Sequence, residues 1–220
     1  MASRYVRTRF EELGYEIRLQ RFRTSDGTRS WNVIATQPGG TNELLIGAHL
    51  DTVAPSPGGN DNASGVGILL ELGRVLAMTP GGERVQLVAF GAEERQPAGG
   101  HHFGSLVYVR RMSSRPRMMV SVDMVGRHRP VIIGQIGIGP RDAVRAMRRA
   151  ARKAGIPSVR QLLPDVSDHG PFEKAEVAAA FLWTGQHPDY HSAGDGPEDA
   201  QRSALGRVGS LLVAFLEGQL

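Results

Sequence analysis

The chain contains no cysteine. That excludes a disulfide-stapled scaffold, a thiol nucleophile and a thiolate-bound metal, so any metal site must be built from His, Asp and Glu. Lysine is almost missing as well. Lys153 and Lys174 are the only two among 26 basic residues, and the positive charge is otherwise arginine. Against 22 acidic residues this leaves a formal +4, a surplus given little weight, and no nucleic-acid partner is expected. No stretch approaches the ~18 consecutive apolar residues of a membrane span, so no membrane partner is expected either. The first ten residues lack the apolar core of a leader. They read instead as a helix already under way, with Tyr5, Val6, Phe10 and Leu13 at helical spacing and Gly14 as its stop. A trimmed or mature chain would begin in this way. Neither compartment nor oligomeric state is legible in these features.

What is present is ordinary globular material: 220 residues, 40% hydrophobic and 22% charged. A chain of that size buries a core without staples and makes one domain. Apolar runs alternate with helical patterns along it. Strands are expected over 15–23, 30–36, 43–48, 85–91, 117–125, 131–135 and 177–183. Helices are expected over 62–78, 103–112, 142–154 and 204–217. Buried strands alternating with helices predict an α/β fold of a single domain over 1–220. Its central sheet is mixed but mostly parallel, with helices on both faces.

In such sheets ligands gather beyond the carboxyl ends of the strands. Here those ends carry acids and imidazoles. His49 and Asp51 are two apart, so on extended backbone they point the same way, and Asp51 can hold one ring nitrogen while the other faces a metal. Asp61 follows two glycines where the long helix begins. Glu93 and Glu94 end an apolar run, and adjacent residues on a strand face opposite ways, which suits one metal ligand and one general base. Asp123 ends another apolar run, where an acid is costly to bury without a partner. His191 sits in a Gly/Pro-rich loop before Asp195. Two His, two Asp and two Glu without sulfur suit paired divalent metals, zinc most readily.

Five segments occur in order: GAHLDT (47–52), GGNDNASG (58–65), FGAEE (90–94), SVDMVG (121–126) and YHSAGD (190–195). Together they resemble metallopeptidase family 28, the co-catalytic dizinc aminopeptidases and their relatives. The twelve-residue step from His49 to Asp61 and the Glu93-Glu94 pair are its specific parts. The resemblance implies a zinc-exopeptidase-like fold and two zinc ions bridged by Asp61. His49 and Asp123 would complete one zinc site, Glu94 and His191 the other. Glu93 would be the general base, and Tyr190 would steady the oxyanion. The segment Ser167 to Phe172 resembles one near the family's substrate pocket, which makes Asp168 and Phe172 substrate-binding candidates. Peptides with a free N-terminus would be the substrates, and secretion is the family tendency. The chain departs from the family over 95–102, where relatives often carry a short Gly-rich turn, and it is short at its N-terminal side.

Plainer readings stand beside these. Asp61 can cap the following helix and still bind metal. His101 and His102 read as loop residues, and His169 as a structural, hydrogen-bonded histidine. Arg141, Arg145, Arg148, Arg149 and Arg152 read as the solvated face of one helix. Rival functions are a carboxypeptidase acting on acidic termini, an amidohydrolase, and a single-zinc cyclase of N-terminal glutamine. A non-catalytic ectodomain is disfavoured because no ligand is missing, and a basic surface module would work through the arginine helix. Near the ligands only Arg95 and Arg127 are basic, against four acids. That favours a pocket for a cationic amine over one for a carboxylate.

Overall fold

The computed structural model describes residues 2–94 and 100–220. Its strands are β1 (Glu16–Arg23), β2 (Arg29–Thr36), β3 (Leu44–His49), β4 (Val85–Phe90), β5 (Met118–Val122), β6 (Val131–Gln135), β7 (Ser158–Leu162) and β8 (Ala178–Trp183). Its helices are α1 (Ala2–Glu12), α2 (Ala63–Leu76), α3 (Phe103–Arg111), α4 (Asp142–Lys153), α5 (His169–Lys174) and α6 (Arg202–Glu217). One sheet takes all eight strands in the order β1-β2-β4-β3-β5-β8-β6-β7. The central run β4-β3-β5-β8 is parallel, as is β6 with β7, while β1, β2 and the β6–β8 seam are antiparallel. The expected mixed, mostly parallel sheet is what the chain forms.

Strand periodicity explains the two-sided core. Leu44 and Ile46 of β3, Leu87 and Ala89 of β4, and Val120 and Val122 of β5 join a large cluster with α1, α2, α4 and α6. The alternate residues Leu45, Val88, Phe90 and Met119 face the other way, onto Tyr108 of α3 and Phe172 of α5. Every residue of β3, β4 and β5 is buried, as the middle of a sheet covered on both faces requires. Each large apolar side chain so buried contributes about 1.5–3 kcal/mol. This rigid centre is what carries the strand ends described below. Among the described residues no helix is long and apolar enough to cross a membrane.

Two elements escape the sequence pattern. Strand β7 is largely exposed along its length and pairs only with β6, so main-chain bonding rather than an apolar run makes it a strand. Helix α5 is a six-residue turn containing Gly170 and Pro171, too short for helical periodicity. The strand expected over 117–125 ends earlier, at Val122. Asp123 lies just past it and Met124 has a positive φ of 50°, which turns the chain away from the sheet.

Candidate metal centre

Four neighbouring strands and the loop before α2 deliver side chains to one edge of the sheet. His49 is the last residue of β3, Glu93 and Glu94 follow β4, and Asp123 follows β5. Asp61 precedes α2, while Tyr190 and His191 lie beyond β8. Glu93 and Glu94 both reach the same cavity, contrary to strict strand alternation. The strand stops at Phe90, and Ala92 has a positive φ of 53° that redirects the pair.

Asp61 is the centre of the arrangement. Its Oδ1 lies 3.2 Å from His49 Nε2, which is also 3.2 Å from Asp123 Oδ1. Its Oδ2 lies 3.2 Å from His191 Nε2, which is 3.1 Å from Glu94 Oε2. One carboxylate therefore faces two separate imidazole–carboxylate pairs, one through each oxygen. Each trio is close enough to share a metal ion. Four of the five side chains are buried, and His191 is partly open.

Main-chain bonding fixes Asp61. Asp195 accepts from the backbone N–H of Asn60 (2.7 Å) and of Asp61 (3.1 Å). Asn62 and Ser64 bond across to the turn after β5: Asn62 Nδ2 donates to the Val122 carbonyl, and the Val125 N–H donates to Ser64 Oγ. Gly59 has to be glycine, since a Cβ there would sit 1.9 Å from the Gly196 carbonyl oxygen. The helix cap is Asn62, which accepts from the Gly65 N–H, so Asp61 does not serve as the cap. Ser167 donates to Asp123 Oδ2 at 2.8 Å, holding that carboxylate from behind.

The crowding shows in the acid–base properties. Burial and then the charge of Asp61 push the Glu94 carboxyl up to about 9. Burial also raises Glu93, with His49 and His102 pulling against it. Burial opposes charge on His49, yet Asp123 and Glu93 outweigh it and hold the imidazole well above its ordinary value. A divalent cation among these donors would favour every ionised carboxylate at once, which is the chemistry the donor set fits. Zinc accepts such imidazole and carboxylate oxygen donors.

A cavity of about 270 Å3 opens beside this cluster. His49, Asp61, Glu93, Glu94 and Asp123 form its polar floor, and Tyr190 is on its wall. Met124, Leu163, Val166, Phe181 and Trp183 supply an apolar side. Among the described residues no Arg or Lys lines it. Arg127 turns away to pair with Asp199, and Arg95 lies outside the described residues.

Several sequence expectations need correction. The Asp51 carboxylate does not hold His49: its Oδ1 is 3.9 Å from Nδ1, which instead lies 3.0 Å from the Asp51 main-chain carbonyl. The carboxylate accepts from the backbone N–H groups of Glu93 (2.9 Å) and Glu94 (3.1 Å). Because β3 has already ended at His49, strand periodicity does not govern Asp51. Asp168 and Phe172 do not reach the cavity, and both are fully buried. Phe172 is a core residue, 6.1 Å from the Phe90 ring and 5.6 Å from that of Tyr108. His169 is buried without a hydrogen bond to either ring nitrogen and stacks on Phe181, so it is structural by packing rather than by bonding. His102 is no mere loop residue, since its Nε2 lies 3.0 Å from Glu93 Oε1. His187, Asp195 and Asp199 form a further buried group, of which only Asp195 falls inside a recognisable sequence segment.

Fold and donor set together place the chain among α/β proteins with a zinc-exopeptidase-like fold, its polar cluster at the carboxyl edge of a mixed sheet. The model of peptidase family M28 matches residues 32–216, and the chain belongs to that family. It is 31% identical over 181 residues to Aminopeptidase YwaD of Bacillus subtilis, a match covering 78% of this chain and 40% of the relative. The chain spans less than half the length of the curated relatives it matches. Its fold matches that of BSAP, a zinc aminopeptidase from Bacillus subtilis, with a TM-score of 0.77 at 28% identity, over 88% of this chain and 50% of the other. A glutaminyl cyclase of Porphyromonas gingivalis shares the fold (TM-score 0.83, 21% identity, 99% and 88% coverage).

Proposed function

We propose that the chain is the catalytic domain of a dizinc aminopeptidase that removes the N-terminal residue of peptides. The observation that carries this is Asp61, whose two oxygens face two imidazole–carboxylate pairs beside a cavity with no Arg or Lys among its described residues. His49 and Asp123 would hold one zinc, Glu94 and His191 the other, and Asp61 both. Bound zinc would supply Lewis-acid polarisation of the scissile carbonyl and acidify a water.

The chain's own residues do the rest. Glu93 takes a proton from the attacking water and returns it to the leaving amine. Its carboxyl, raised by burial, is a stronger base for that transfer than an exposed glutamate would be. The Tyr190 phenol is held above its usual value by burial and by the neighbouring acids, so it stays protonated and can donate to the developing oxyanion. With no Arg or Lys among the described lining residues to repel it, the free α-amine of the substrate lies beside the metal-holding carboxylates, and the apolar side of the cavity receives its first side chain. A carboxypeptidase would instead need a cation for the substrate carboxylate.

Metal analysis combined with release of 4-nitroaniline from amino-acid anilides tests the reading. About two zinc equivalents per chain and chelator-sensitive release are expected. A single tightly held zinc at saturation, without anilide release, would contradict it in favour of a cyclase-like acyltransferase.

A further inference from the structure

His102 stands outside the donor set just described, yet it is buried and directed at Glu93. It precedes α3 in a left-handed conformation (φ 57°), which is uncommon for residues other than glycine. Two main-chain bonds hold it there: the His102 N–H donates to the Glu93 carbonyl at 2.8 Å, and the Phe103 N–H donates to that of Ala92 at 2.9 Å. The side chain then lies between two carboxylates. Nε2 is 3.0 Å from Glu93 Oε1, and Nδ1 is 3.5 Å from Asp165 Oδ1. Asp165 is in turn paired with Lys174, which steadies the far end of the chain. His101 Nδ1 also approaches His102 Nε2, at 2.9 Å.

We infer that His102 is a positioning residue for Glu93, clamping one carboxylate oxygen so that the group stays turned to the cavity. The inference rests on the reading of Glu93 as the general base. A glutamate side chain has three rotatable bonds, and a base must stand within about 2.6–3.2 Å of the proton it takes. Misplacement of a reacting group by about 1 Å costs up to ~100-fold. Burial opposes charge on the imidazole, but Asp165 and Glu93 push its pKa up to about 10, which keeps the ring a cation between the two carboxylates.

Two substitutions separate the two nitrogens. In His102→Gln the amide nitrogen takes the place of Nε2 and keeps the donor to Glu93. In His102→Asn it takes the place of Nδ1 and keeps only the side toward Asp165, while asparagine tolerates the left-handed backbone. His102→Leu removes both donors. The zinc-loaded full chain and these variants are compared on an amino-acid 4-nitroanilide for kcat and KM, with zinc content and Tm measured in parallel. The Leu and Asn variants are expected to lose roughly 10- to 100-fold in kcat, with KM and zinc content unchanged, while the Gln variant stays within about fivefold of wild type. Retention by Asn with loss in Gln would overturn the inference, as would wild-type kcat in all three or losses that only track lost zinc. Glu93→Gln is run alongside. Near-native turnover in that variant would sink the reading of Glu93 as base, whereas an inactive Glu93→Gln with a fully active His102→Leu would sink only the role of His102.

Discussion

Glu93 and Glu94 are neighbours in the chain with separate proposed roles, and the Asp51 carboxylate holds both by accepting their backbone N–H groups. Glu93→Gln preserves shape and removes only the proposed base. Zinc content is expected to stay at the wild-type level while turnover falls by roughly 10²–10⁴-fold. Metal analysis and anilide kinetics on one preparation check this, and near-native turnover would exclude Glu93 as the base. His169 gives a prediction for stability. Burial lowers its pKa from 6.5 to about 4, with the charge of Asp165 opposing. Between those values the unfolded chain binds a proton that the folded chain refuses, so stability falls as pH drops from about 6.5 toward 4. Above that window the group contributes nothing; below it the full cost applies, on the order of 3 kcal/mol. His169→Phe keeps the stacking on Phe181 and removes the titration. Denaturant melts at several pH values should show wild type losing stability relative to the variant as the window is crossed. Parallel curves would contradict the assignment.

At the scale of elements, the site depends on how tightly the 58–65 loop is tied to its neighbours. Gly59 passes so close to Gly196 that a methyl group cannot be added without moving one strand of the contact. Gly59→Ala is expected to cost about 1–3 kcal/mol and to lower zinc retention, because Asp61 shifts with the loop. Thermal melts and zinc content measure both, and a wild-type result in each would mean that the loop is not what holds Asp61. The same scale shows what a sequence reader can see. Acids that end apolar runs, such as Asp123 after β5, announce themselves because burying them without a partner is costly. The partner of the Asp51 carboxylate was not legible, since it lies on another strand end and periodicity stops with the strand. Strand β7 was invisible because its residues face solvent and only main-chain pairing with β6 defines it. His102 reads as a loop residue for a similar reason. Nothing local marks a histidine whose partners, Glu93 and Asp165, arrive from two distant segments.

For the whole molecule, the sheet order and the two-sided core follow from alternation that is plain in β3, β4 and β5. The substrate side is harder to read. Asp168 and Phe172 lie in a segment resembling one near the family's pocket, yet the fold uses Phe172 to pack α5 against the sheet and buries Asp168 beneath it. The cavity wall comes instead from Leu163 and Val166, which lie in no expected element, and from Phe181 and Trp183 of the strand expected over 177–183. The arginines of α4 sit on its exposed face, opposite its buried Ala, Val and Met positions, and take no part in the site.

The central claim is that an acidic, carboxylate-bridged centre measures a substrate from its free amine. The direct measurement is mass spectrometry of one peptide, incubated with the zinc-loaded chain either unblocked or N-acetylated. The unblocked peptide should shorten one residue at a time from its N-terminus, and the acetylated peptide should survive intact. Equal cleavage of both, or loss of residues from the C-terminus, would contradict the account.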